Sequence, residues 1–172
     1  VQTCALPILR EVAILDAAGR IVRSGSGDSG KPSAAGQEFF DVHVSQPRTT
    51  SHVSRPVRPG PGPDWVVQIT RRLDAANGDF AGVICVTVDP QYFTDFYRSI
   101  ELGGHRVVNL AGVDGVSRAR VSGDRAQFGQ TGINGSMYRL LPQQPVGHVI
   151  APSPIDGVTR IMSYRTLREY GL

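Results

Sequence analysis

Two adjacent arginines, Arg71 and Arg72, close an apolar run that opens at Trp65, and a third, Arg55, precedes Pro56 in the loop upstream. A guanidinium is a rigid planar fork that holds a carboxylate or phosphate through two parallel hydrogen bonds. Strand alternation puts Arg71 on one face with Trp65, Val67 and Ile69, and Arg72 on the other with Val66, Gln68 and Thr70. A guanidinium beside an aromatic ring at a sheet edge suits a small anionic ligand. The competing reading is that both arginines pair with acids of the next turn, Asp74 or Asp79, and only keep the hairpin soluble.

The remaining reactive side chains form no catalytic or metal-binding constellation. His43, His52, His105 and His148 stand apart, with no HxxxH or HExxH spacing and no cysteine partner. No Gly-x-Ser-x-Gly elbow occurs. Gly25, Gly27 and Gly30 fit Gly-x-Gly-x-x-Gly, but no helix pattern follows them, and the string reads as a loop. Cys85 lies among valines and reads as a small buried apolar residue. Cys4 belongs to a separate segment, Val1 to Ile8, which resembles a translated sequencing adapter; residues 1–8 are set aside as an artefact. No catalytic residue, metal site or cofactor is expected.

Composition narrows the classes. The chain has 172 residues, 40% apolar, with 20 Gly and 12 Pro, which describes a folded, turn-rich protein of one ordinary or two small domains. Net charge is +3, and the arginines are scattered rather than gathered in a stripe. That dispersal argues against a nucleic-acid surface. No apolar run reaches the roughly 20 residues of a membrane-spanning helix.

The elements that must carry the arginines centre on residues 65–103. Trp65 to Leu73 and Phe80 to Val88 are strand-like runs joined by a turn whose Asn77-Gly78 pair suits left-handed dihedrals. Both runs are apolar on both faces, which predicts a central position in a sheet covered on each side. Asp89-Pro90 reads as a helix cap, and Phe93, Phe96, Tyr97 and Ile100 form one stripe on a short helix that Gly103-Gly104 stops. Upstream, Val12 to Leu15 and Arg20 to Val22 flank an Asp16–Gly19 turn, with Arg23–Gly36 a loop. Glu38 to Val44 is a helical turn or a short strand, and 46–63 a second loop. Downstream the order repeats: Arg106 to Leu110 and Val116 to Val121 around Gly112–Gly115, a loop over 122–135, then Gly147 to Ala151 and Val158 to Arg165 around an Asp156-Gly157 turn. Hairpin, loop, hairpin occurs twice with the helix between. This predicts an α+β chain of two tandem modules with central antiparallel sheets. The second copy lacks a closing strand, so the chain is expected to be a fragment.

These residues resemble a known family. Val12 to Ser24 together with Trp65 to Tyr97 is similar to the double Cache sensor region, a pair of PAS-like modules found outside the membrane in bacterial signalling receptors. Thr70-Arg71-Arg72-Leu73, Asn77-Gly78-Asp79-Phe80-Ala81-Gly82-Val83 and Asp89-Pro90-Gln91-Tyr92-Phe93 resemble the subtype placed ahead of GGDEF diguanylate cyclase domains. Asp156 to Leu172 looks like the matching part of the second module. Where that subtype often carries Ser-Asp-Arg-x-Tyr-Phe, this chain has Ala35-Gly36-Gln37-Glu38-Phe39-Phe40, without the charged pair. The resemblance implies a membrane-distal module over 9–98 ending in the connecting helix, and an incomplete membrane-proximal module over 99–172. It implies a periplasmic, membrane-anchored receptor, a homodimer in the parent, whose output is a diguanylate cyclase first and a histidine kinase or chemoreceptor as the alternative. From another class, a small secreted β-rich hydrolase or a structural module without a ligand competes with it. Its ligand, an organic acid or amino acid, would sit in the first module among Phe40, Arg55, Trp65 and Arg71, with His43 and Gln68 nearby.

Overall fold

The computed structural model describes residues 8–25, 27, 33–46, 51–100 and 105–172. The readings made for residues 1–7, Gly30 and Gly103-Gly104 lie outside them. The chain divides into two compact units between Tyr92 and Phe93.

The first unit is built on one antiparallel sheet. Its strands are β1 (Leu9–Asp16), β2 (Ile21–Ser24), β3 (Ser51–Val53), β4 (Val67–Asp74) and β5 (Phe80–Val88), in the order β2-β1-β5-β4-β3. The helix α1 (Glu38–Ser45) resolves the open reading of that stretch in favour of a helix. Register aligns Ala13, Cys85 and Thr70 across β1, β5 and β4, and Leu15, Val83 and Arg72 one step along. That face meets α1: Ala13, Leu15, Val83, Cys85, Phe40 and Ala34 form the core, and the Phe40 and Phe80 rings meet edge to face 5.6 Å apart. On the opposite face Val67 and Val88 are buried at one end of the sheet, while Ile14, Ile84, Val86 and Ile69 are half-buried and Val12 is exposed.

Two local expectations change. The first strand of the central hairpin begins at Val67, because Val66 is engaged in a bridge to Val57 outside the strands. The hairpin turn is not built on a left-handed Asn77-Gly78 pair: Gly78 alone has positive φ, at 87°. The Gly78 N–H donates to the Ala75 carbonyl at 2.9 Å and the Ala75 N–H to the Asp79 carbonyl at 2.8 Å, a type I turn closed by one left-handed residue. Asn77 instead orders the loop through its amide, 2.7 Å from the Asp79 carboxylate. Gly82 is required sterically. It sits at φ 142°, and a Cβ there would come within 2.0 Å of the Leu15 carbonyl oxygen.

The helix α2 (Gln91–Arg98) spans the division between the units, and the Asp89 carboxylate caps it through the Gln91 N–H at 2.8 Å. The expected stripe is not a buried face. Phe96 is 60% exposed, Ile100 lies past the helix, and Thr94 is the buried residue.

In the second unit β6 (Val107–Ala111), β7 (Ser117–Ser122) and β8 (Arg125–Gln127) form a three-stranded sheet in that order. The helix α3 (Ser136–Leu140) follows, and β9 (Val146–Pro152) pairs with β10 (Thr159–Arg165) as a separate two-stranded sheet. Neither β8 nor α3 was expected within the loop over 122–135 and beyond. Both are short, three and five residues, and lack the periodicity that marks longer elements. The two halves also differ. In the first unit β1 pairs with β5, so its hairpins share one sheet, whereas β9–β10 joins neither edge of β6–β7–β8 among the described residues.

Candidate functional site

The six residues expected to line a ligand pocket all lie in the first unit but do not form one cluster. Phe40 and His43 project from α1 into the core, and His43 is fully buried. The Thr70 hydroxyl lies 2.8 Å from His43 Nε2 and 3.2 Å from the Phe39 carbonyl. Gln68 is half-buried and bound to Ser54, whose hydroxyl lies 2.8 Å from Oε1. Arg55 is exposed, and its backbone N–H donates to Glu38 at 3.1 Å. Trp65 is half-buried beneath the Arg58 guanidinium, 4.7 Å from the ring centroid. Arg71 is exposed on the sheet face opposite α1, in register with Ile84 and Ile14. A single small molecule on the Phe40–His43 side would therefore not reach Arg71.

Arg72 is held by the structure itself. It bonds Asp74 at 2.7 Å, donates to the His43 carbonyl and covers the Phe80 ring at 4.8 Å. This agrees with the turn-acid reading for Arg72; Arg71 takes no part in it.

The second unit contains a cavity of about 640 Å³ that the sequence reading did not place. Strands β6, β7 and β10, helix α3 and the β9–β10 turn supply its walls. Its volume lies in the range of sites for small organic ligands. Leu110, Met137, Leu141 and Ile155 give it apolar surface, and Arg106, Arg120, Arg160 and Arg165 give it positive charge. Among the described residues lining it there is no aspartate or glutamate. Burial and the Asp114 charge push the Tyr138 phenol up, so this wall residue stays a neutral donor.

The charged residues are placed by a repeated local structure. Asp114-Gly115-Val116-Ser117-Arg118 recurs as Asp156-Gly157-Val158-Thr159-Arg160. In each copy the glycine takes positive φ, 77° and 71°. The aspartate accepts from the valine N–H at 3.1 and 3.3 Å and from the arginine four residues on at 2.6 Å. In each, the arginine also donates to the valine carbonyl, at 2.9 and 3.3 Å. Asp156 does more. Its second oxygen lies 2.7 Å from Arg120, a β7 side chain only 3% exposed that also reaches Gln127. One carboxylate thus bridges two guanidinium groups at the cavity wall. The Arg160 hydrogen bond, helped by Arg120 and Val158, holds that carboxyl well below the usual carboxylate range against the opposing effect of burial. The recurring Asp-Gly-Val-(Ser/Thr)-Arg string is the signal that could have identified these residues from the sequence.

The fold has relatives of known structure. Residues 90–172 match a family model described as a histidine kinase sensor domain, dCache_1-like. The extracellular domain of rpHK1S-Z16, described as a histidine kinase, is 29% identical at TM-score 0.81, over 96% of this chain and 68% of that one. The ligand-binding domain of the Pseudomonas aeruginosa amino acid chemoreceptor PctB, solved with L-Gln, is 16% identical at TM-score 0.65, over 96% of this chain and 64% of that one. That of the Pseudomonas fluorescens chemoreceptor CtaA, solved with L-leucine, is 17% identical at TM-score 0.56, over 89% and 62%. The fold is Cache-like. No curated protein sequence matches the chain. On the family match and these neighbours the chain is an extracytoplasmic sensor domain of a signalling receptor. The receptor types they name are the kinase and the chemoreceptor, the alternatives to the diguanylate cyclase output.

Proposed function

We propose that this chain is the small-molecule-sensing region of a membrane-anchored bacterial receptor, built of two tandem PAS-like Cache modules, and that its output is a histidine kinase. The observation that carries the reading is the likeness to the rpHK1S-Z16 extracellular domain, which runs over 96% of this chain and so includes both compact units. The chain's own task is binding and not catalysis. A ligand that prefers one of two conformations shifts their populations, and the membrane anchor passes that shift to the output. The ligand class is amino acids and small organic acids, in keeping with the L-Gln and L-leucine held by PctB and CtaA. A chemoreceptor output is the second reading, favoured by those same two neighbours. In the parent the region is a homodimer.

A thermal-unfolding screen of the purified chain against the amino acids and a panel of small carboxylic acids tests the reading. A ligand at a hundred times its Kd adds about 2.7 kcal/mol of stability, which raises Tm by several degrees. A flat response across both panels would count against sensing and favour a module with no ligand.

A further inference from the structure

We propose that the cavity of the second unit is a carboxylate site, in which Arg120 and Arg160 hold the acid group of a small organic anion and Asp156 occupies both guanidinium groups when no ligand is bound. The inference rests on the sensing function proposed above and assigns it a place and a chemistry.

Of the four arginines that line the cavity, Arg120 and Arg160 pair with Asp156, Arg106 pairs with Asp124 and Arg165 is exposed; among the described lining residues no carboxylate side chain faces them from within. Such an enclosure favours an anion, and low local dielectric makes each charge count for more. Arg120 is almost wholly buried, so it must keep a counter-ion in every state of the protein. Asp156 is its counter-ion here, and it comes from a hairpin turn, the segment of the unit best able to move without breaking a sheet. A ligand carboxylate fits the same two forks and can replace it. The exchange leaves the buried charge compensated and releases the Asp156–Gly157 turn, which gives the ligand a differential effect on two conformations. A further donor lies at the wall: Tyr164 lines the cavity, and its buried hydroxyl, packed over Gly147, has no hydrogen-bond partner among the described residues. A buried hydroxyl left unpaired is costly, and a ligand oxygen removes that cost. The apolar surface of Leu110, Met137 and Ile155 limits the rest of the molecule to a short hydrocarbon body.

The test is calorimetry on the whole chain with matched pairs: benzoate and benzamide, 4-methylpentanoate and its amide, glutarate and its diamide. Carboxylates are expected to bind, their amides roughly tenfold or more weakly, since the neutral group cannot answer two guanidinium ions. Arg160→Gln should weaken the best carboxylate by about tenfold, and Asp156→Asn should strengthen it by a similar factor because the internal competitor is gone. That opposite sign separates the proposal from general damage. If Asp156→Asn is unstable alone, its Tm should recover more than the parent's on adding carboxylate. For the parent, amide NMR shifts on binding should gather at residues 107–120 and 154–165. Amides binding as well as carboxylates, no carboxylate binding below millimolar, or tighter binding absent from Asp156→Asn overturns the proposal. Ligands that perturb only residues around His43 and Thr70 overturn it while leaving the sensing function intact; silence of every amino acid and acid removes both.

Discussion

Single residues in this chain are constrained by close approach and by burial more than by chemistry. Gly82 is the sharpest case, since a β-carbon there would overlap the Leu15 carbonyl of the neighbouring strand. Gly82→Ala should destabilise the first unit by about 3 kcal/mol, while Gly78→Ala, whose β-carbon would meet open space, should cost only about 1 kcal/mol for the left-handed backbone. Urea unfolding followed by tryptophan fluorescence from Trp65 measures both; equal losses would contradict the steric argument. Cys85 gives a second prediction. Burial pushes its thiol up to about 11, so it is neutral in the folded chain at pH 8. A raised folded pKa leaves stability intact below the unfolded value and loses it as pH climbs from about 9 towards 11. With Cys4 replaced by serine, labelling of Cys85 by a disulfide reagent at pH 8 should keep pace with unfolding. Fast labelling of the native chain would show an accessible thiolate.

At the scale of elements, position in a sheet sets local stability. Strand β5 is paired on both sides, by β1 and β4, and one of its faces lies against α1. The β9–β10 hairpin has only its own partner among the described residues, and Ile150 and Ile161, directly paired, are 68% and 73% exposed. Hydrogen exchange should therefore be slowest in 80–88 and faster by orders of magnitude in 146–152 and 159–165, because opening two strands costs less than opening the centre of five. Equal protection in both would mean that the hairpin is covered by something beyond its own pairing. The Asp156-Gly157 hairpin itself was legible in the sequence. The separate sheet is what the structure adds to it.

On the scale of the whole molecule, the two units are held by different forces. The first has an apolar core around Leu15, Phe40 and Val83. The second buries Arg118 and Arg120, and each depends on an aspartate, Asp114 or Asp156. Asp156 titrates below the usual carboxylate range, so its contribution is complete above about pH 4 and is lost as pH falls through its folded pKa. Protonation then leaves buried guanidinium groups without a counter-ion. On acidification, the amide resonances of 107–165 should collapse at a higher pH than those of 80–88. Simultaneous loss would mean that the chain unfolds as one cooperative body.

The sequence by itself determined the hairpin strands, since alternation, Asp-Gly pairs and the Asp89-Pro90 cap are local signals that need no partner to act, whereas the short strands β3 and β8 fell in stretches that read as loops. Strand β5 was placed to the residue, and the four hairpins were all legible. The motifs around Arg71, Gly82 and Asp89 were enough for a Cache-type likeness, because those residues serve the fold. Which side of a strand a helix covers, and which distant strands join, was decided only in three dimensions. Phe40 and Arg71, expected at one pocket, fall on opposite faces of one sheet, a consequence of where α1 docks. Arg120 and Asp156 are 36 residues apart, and no local pattern joins them. Their pairing exists because β7 and the β9–β10 turn meet at one cavity, where a buried cation requires a counter-ion.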